Sequence, residues 1–194
     1  MVIFFILLMV TVVAMLIASP FGILFANEDN GTDTVTLSQA VARIDDEFDA
    51  RISQIITSHS YVDSVEIHYI GSPDNTKIDN WMDVIAIFAV QTTTIDELDV
   101  VTIDGQRIDL LRAAYWAMNP VYYYVETIVH TSSTTNEDGS ISTDTTYEYI
   151  LHIEISSYSA DQQQAMMGFT QEQKDMLDEL LTDEIRELIR ELIS

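Results

Sequence analysis

Cysteine is absent from the 194-residue chain. That removes disulfides, thiolate metal sites and any cysteine nucleophile. Basic residues are scarce: 8 Lys and Arg stand against 32 Asp and Glu, for a formal net charge of −24. A chain this acidic lacks the Lys/Arg footprint that neutralises phosphates, so nucleic acid is not expected as a partner. Anionic lipid headgroups are disfavoured for the same reason. A saline habitat produces the same acidic bias and says nothing about function. Also missing are a Walker loop, a dinucleotide glycine fingerprint, HExxH and GxSxG. No cofactor and no motif-borne catalytic or metal site is expected.

Charge is missing altogether from one long stretch. From Val2 to Phe25 no residue is charged, and roughly 20 apolar residues suffice for a helix to cross a bilayer. The run is too long for the core of a cleaved signal and has no basic segment ahead of it, although Leu24-Phe25-Ala26 is a weak cleavage site. The reading is a transmembrane anchor over 1–26, with Pro20 and Gly22 near its outer end. No Lys or Arg precedes it and the first to follow is Arg43. The positive-inside rule then puts the downstream part outside the cell. Residues 27–35 (NEDNGTDTV) form a linker.

What remains alternates between helical and extended periods. Thr36-Leu-Ser-Gln39 is a capping box, and Leu37, Val41, Ile44, Phe48, Ile52 and Ile55 follow at steps of three and four on one helical face. VDSVEIHYI alternates as a strand, with Val65, Ile67 and Tyr69 on one side and Glu66 and His68 on the other. Trp81, Val84, Ile85 and Phe88 give a second one-faced helix, and Ile108, Leu111, Tyr115 and Met118 a third, ended by Asn119-Pro120. VYYYVETIVH and TYEYILHIEIS then read as a long hairpin around Asp138-Gly139. Capping boxes at Ser159 and Thr170, with Gly168 between them, start the last helices. The expected class is α+β: a transmembrane helix, about three strands including one long hairpin packed with helices over 36–160, and C-terminal amphipathic helices over 161–194.

Chemistry is sparse. Glu66 and His68 share one strand face and His152 and Glu154 another, but each pair supplies two ligands where a metal site needs three or four. They read as exposed strand residues, and His59 and His130 have no companions. Carboxylates are so frequent that only Glu47, on the first helix, stands out as a candidate catalytic acid. The last helix, TDEIRELIRELIS, offers Ile185, Leu188, Ile189 and Leu192 as an apolar stripe, for packing on its own domain or for a partner helix.

Several pieces in order carry a resemblance: ASPFGILF, LSQAVARIDDEF, NWMDVIAIFAVQTTT, DVVTIDGQRIDLLRAAYWAMN, YEYILHIEIS and FTQEQKDMLDELL. Together they resemble the membrane-proximal region of the NlpC/P60-containing mobile-element peptidoglycan hydrolases of Gram-positive bacteria. The catalytic Cys and His of that family have no counterpart here, and Gln91 stands where relatives tend to have Lys. The resemblance implies the middle part of a larger layout. It implies a non-enzymatic, membrane-anchored extracytoplasmic scaffold of a conjugative type IV secretion system. Its partners would be the membrane, other channel proteins, and peptidoglycan or a wall-hydrolase module. The alternative function is a muramidase-like enzyme using Glu47.

Overall fold

A computed structural model of the chain describes residues 35–72, 77–93 and 105–193. Among them are six helices: α1 (Leu37–Ser58), α2 (Trp81–Thr93), α3 (Gly105–Met118), α4 (Ala160–Met167), α5 (Gln171–Leu180) and α6 (Asp183–Ile193). The strands are β1 (Ser64–Ile70), β2 (Val121–Thr135) and β3 (Ile141–Ser156). The described chain divides into two compact units. One holds residues 35–47, 79–93, 105–119 and 158–193, and the other holds 48–72, 77–78 and 120–157.

The first unit is helical. The capping box at its start is formed: Thr36 Oγ1 accepts from the Gln39 N–H, and Gln39 Oε1 accepts from the Thr36 N–H, both at 3.2 Å. Leu37, Ala40, Val41 and Ile44 are buried on the inner face of α1. The sequence pattern put one buried face on α2, yet Val84 through Val90 are all fully buried. Seven successive apolar residues leave no polar side to turn to water, and a helix apolar all round lies at the centre of its packing. It contacts α3, α4, α5 and α6. Asp83 secures two of these, accepting from Arg186 Nη2 at 2.7 Å and from the Ala160 N–H at 3.2 Å. The Trp81 ring lies against Tyr115, with centroids 4.6 Å apart, and its Nε1–H donates to Asp45 at 3.0 Å. The Ser159 and Thr170 boxes are both present, with Gly168 as the left-handed C-cap of α4.

The second unit is built on a mixed sheet in the order β1-β3-β2. β2 and β3 form the hairpin, pairing antiparallel from Val121↔Ile155 to Thr135↔Ile141. β1 lies parallel to β3, from Ser64↔Ile150 to Ile70↔Ser156. Leu151, Ile153 and Ile155 are buried on one face of β3. The distal half of the hairpin, residues 129–147, is exposed throughout.

The anchor at 1–26 and nearly all of the linker at 27–35 lie outside the described residues. Among the described residues no helix is long and apolar enough to cross a membrane. α2 is apolar, but its 13 residues rise only about 20 Å against a hydrocarbon core of about 30 Å. α1 is long enough but carries Arg43, Asp45, Asp46, Glu47, Asp49 and Arg51. Among the described residues the fold is six helices and a three-stranded mixed sheet, and none of those helices is a membrane span. Single-pass localisation with an extracytoplasmic domain and membrane partnership therefore lose their support. So does the scaffold role in a conjugative secretion channel, with its channel and wall-hydrolase partners.

Candidate metal centre

β1 and β3 each present a histidine and a glutamate to the same face of the sheet. Side chains alternate along a strand, and neighbours in register share a face. The parallel register sets Glu66 beside His152 and His68 beside Glu154, while the antiparallel register sets Tyr124 on the other side of His152. Sequence spacing coupled each histidine only to the glutamate on its own strand. The pairing of β1 with β3, 84 residues apart, brings both histidines together.

Three donor atoms converge. His68 Nε2 lies 3.4 Å from His152 Nδ1, and Glu66 Oε2 lies 3.5 Å from each of them. The triangle is almost equilateral. Ligand atoms held 2.0–2.2 Å from a tetrahedral ion stand about 3.3–3.6 Å apart, whereas adjacent ligands of an octahedral ion at those lengths stand about 2.8–3.1 Å apart. The observed edges match the tetrahedral spacing.

The centre of this group is fixed by its surroundings. The His152 ring meets His68 edge to edge and nearly coplanar, at 5.7 Å and 14°, and stacks on Tyr124, at 4.8 Å and 18°. Its side chain is only 11% exposed, while Glu66 and His68 are about half exposed. His152 Nε2 lies 2.9 Å from Glu126 Oε2. A carboxylate accepts, so Nε2 carries the proton and the Nδ1 lone pair faces Glu66 and His68. A carboxylate behind a ligating imidazole is the usual device that sets the tautomer and raises ligand basicity. Burial pushes the Tyr124 phenol above its ordinary pKa, and Glu154, Glu126, Tyr122 and Glu66 push it the same way. The face thus presents a concentration of negative charge around the three donors.

The other candidates sit elsewhere. Glu47 accepts from Arg112 through both oxygens, at 2.7 and 3.0 Å, and Asp109 joins the same guanidinium. The hydrogen bond that Arg112 donates to Glu47, and the charge of Glu47, hold the Arg112 pKa above the ordinary value. This exposed ion-pair cluster corrects the muramidase alternative, since both oxygens of the proposed acid are engaged in tying α3 to α1. Ile189 is fully buried, and Ile185, Leu188 and Leu192 are half-buried on α6, which packs against α2 and α5. His130 pairs with Glu148 at 2.9 Å, and the His59 ring meets Tyr123 edge-on. Glu126 and Tyr124 went unnoticed in the sequence. Their only signal was their register opposite β3, which spacing within one strand does not reveal.

No family model, curated protein or solved structure matches the chain.

Proposed function

We propose that this chain is a metal-binding domain that holds one zinc-class divalent ion on the exposed face of its sheet, through His68 Nε2, His152 Nδ1 and Glu66 Oε2. The observation that carries this reading is the near-equilateral triangle of donors at 3.4–3.5 Å. Two imidazoles and one carboxylate suit zinc, cobalt, nickel, copper or iron, whereas magnesium and calcium prefer oxygen donors alone. Glu126 supports the reading from behind His152, as an outer carboxylate that holds the ligating nitrogen unprotonated. The strongly acidic composition raises the local concentration of cations.

Three protein ligands leave a tetrahedral ion with one open position, the arrangement of sites that bind water or a further ligand. Binding needs the Nε2 lone pair of His68, so the imidazole proton that Nε2 otherwise turns toward His152 moves to Nδ1. Calorimetric titration of the chelator-treated chain tests this. One Zn²⁺ or Co²⁺ per chain is expected, with no comparable response to Mg²⁺ or Ca²⁺. His68→Ala and His152→Ala should weaken binding by more than the roughly 10–100-fold that loss of an outer-shell partner costs. A chain that takes up no zinc, or takes it up equally well after both substitutions, contradicts the reading.

A further inference from the structure

Among the described residues β2 is an edge strand, in the order β1-β3-β2. It pairs with β3 without a bulge from Val121↔Ile155 to Thr135↔Ile141, and its 15 residues, VYYYVETIVHTSSTT, include neither Lys nor Pro. Bulges, lysines and prolines are the usual protections of an edge against pairing with another chain. Two bonds fix the direction of its backbone. At one end the Pro120 carbonyl accepts from the Ser156 N–H at 3.1 Å, and at the other the Asn136 N–H donates to the Ser140 carbonyl at 2.8 Å. Both even-numbered positions thus face β3. With no bulge between them, every odd-numbered residue from Val121 to Thr135 turns its N–H and C=O away from β3. None of the described residues hydrogen-bonds to those outward groups.

The two faces beside this edge differ in chemistry. Tyr122, Tyr124 and Glu126 stand on one, in register with Glu154, His152 and Ile150 of β3. Tyr122 is 62% exposed and Tyr124 41%. Glu126 is half exposed, and His152 takes only its Oε2. The other face carries Val125, Thr127 and Val129, and Val129 is 56% exposed. A strand laid antiparallel along β2 hydrogen-bonds to the odd-numbered residues. Its alternate residues then stand opposite Tyr124, Glu126 and Ile128, with Cα atoms about 4.5 Å apart, where side chains come closest. Lys or Arg at those positions meets the Glu126 carboxylate and the tyrosine rings. Apolar residues at the intervening positions lie against Val125 and Val129.

We infer that the β2 edge takes up, as an added strand, an extended segment of another protein in which basic and apolar residues alternate. None of this needs a bound metal. Main-chain hydrogen bonds supply the affinity of strand addition, and the alternate side chains supply its specificity. Charge selects the occupant. A net charge of −24 attracts a cationic segment and repels a second copy, whose own β2 has neither Lys nor Arg. No two of the 8 Lys and Arg stand two residues apart, so these 194 residues offer no such segment themselves. β1 reaches only as far as Ile150 along β3, so the hairpin beyond Glu126 is two-stranded. Two strands are marginal in water, and an added third strengthens them.

Fluorescence anisotropy in chelator, with a labelled peptide of alternating lysine and valine, tests the inference apart from the metal site. Saturable binding that weakens as salt rises is expected, and none for the same peptide with glutamate in place of lysine. Thr127→Pro removes an outward N–H at an edge, where proline is tolerated. It leaves one acceptor of the added strand unpaired and should weaken binding by about tenfold or more. Val129→Lys sets a like charge beside the incoming lysines and should act in the same direction, with circular dichroism checking both folds. Absence of binding, equal binding of the two peptides, or binding unchanged in both variants overturns the inference. So does a chain that dimerises without peptide and becomes monomeric in both variants, because a second copy then occupies the edge. Peptide binding by a chain that takes up no zinc supports the inference and overturns the metal reading alone.

Discussion

Replacing Glu126 with alanine removes the carboxylate behind His152 while leaving all three proposed ligands in place. In the wild type Glu126 Oε2 holds the His152 Nε2–H at 2.9 Å and thereby keeps Nδ1 unprotonated toward Glu66 and His68. Without it the imidazole is free to carry its proton on Nδ1, and metal uptake must first reverse that tautomer. Outer-shell losses of this kind cost roughly 10–100-fold in affinity, which is about 1.4–2.8 kcal/mol. Glu126→Gln retains an oxygen that accepts from Nε2 and loses only the charge, so it should fall between wild type and alanine. Glu154→Gln removes a charge from the same sheet face, at the register position opposite His68 and Tyr122, and should produce a smaller effect that fades with salt. Competition for Zn²⁺ against a chromophoric chelator measures all three, with circular dichroism checking the fold. A Glu126→Ala affinity within two-fold of wild type, or an equal effect from Glu154→Gln, would refute the positioning role.

Phe88 is fully buried on α2, and Phe88→Ala should destabilise the helical unit by about 3–5 kcal/mol in denaturant unfolding; a loss below 1 kcal/mol would mean that α2 is not central. Gly71 closes β1 at φ +86°, where an added Cβ would stand 2.5 Å from the Ser157 carbonyl oxygen. Gly71→Ala should cost at least about 1–3 kcal/mol, read from the same unfolding curves, and an unchanged midpoint would contradict it. At the hairpin tip the Ser140 hydroxyl and N–H donate to Asp138 at 2.6 and 2.9 Å, holding its carboxyl below the usual aspartate range. A group whose pKa is lower folded than unfolded stabilises the turn above its unfolded value, and that contribution is lost as pH falls through the folded value. Carboxyl NMR should show Asp138 titrating below an unstructured aspartate and Ser140→Ala raising it; a wild-type Asp138 that titrates like a free one contradicts the turn geometry.

Local patterns in the sequence marked where many elements lie. The Thr36, Ser159 and Thr170 boxes mark real helix starts, because capping is written in residues three apart. The alternation of Val65, Ile67 and Tyr69 against Glu66 and His68 describes β1 for the same reason. α2 was less legible: a pattern of positions 81, 84, 85 and 88 describes one face, whereas burial on every side follows from how many helices surround it. The hairpin runs further than its apolar segments indicate, because cross-strand hydrogen bonding carries the Ser/Thr-rich residues to Thr135 and from Ile141. An apolar run at the start of the sequence led to a membrane scaffold, a role for which the described helices provide no crossing segment. The candidate site was least legible of all. His68 and His152 are 84 residues apart, and nothing in either strand states that the two pair in parallel, or in which register.

Anomalous diffraction at the zinc edge, from crystals of the chain grown with Zn²⁺, locates the ion directly. A single strong peak about 2.0–2.2 Å from His68 Nε2, His152 Nδ1 and Glu66 Oε2 is the expected result. Crystals with those three side chains ordered and no peak among them, or with zinc held only by other residues, would contradict a metal centre on this sheet.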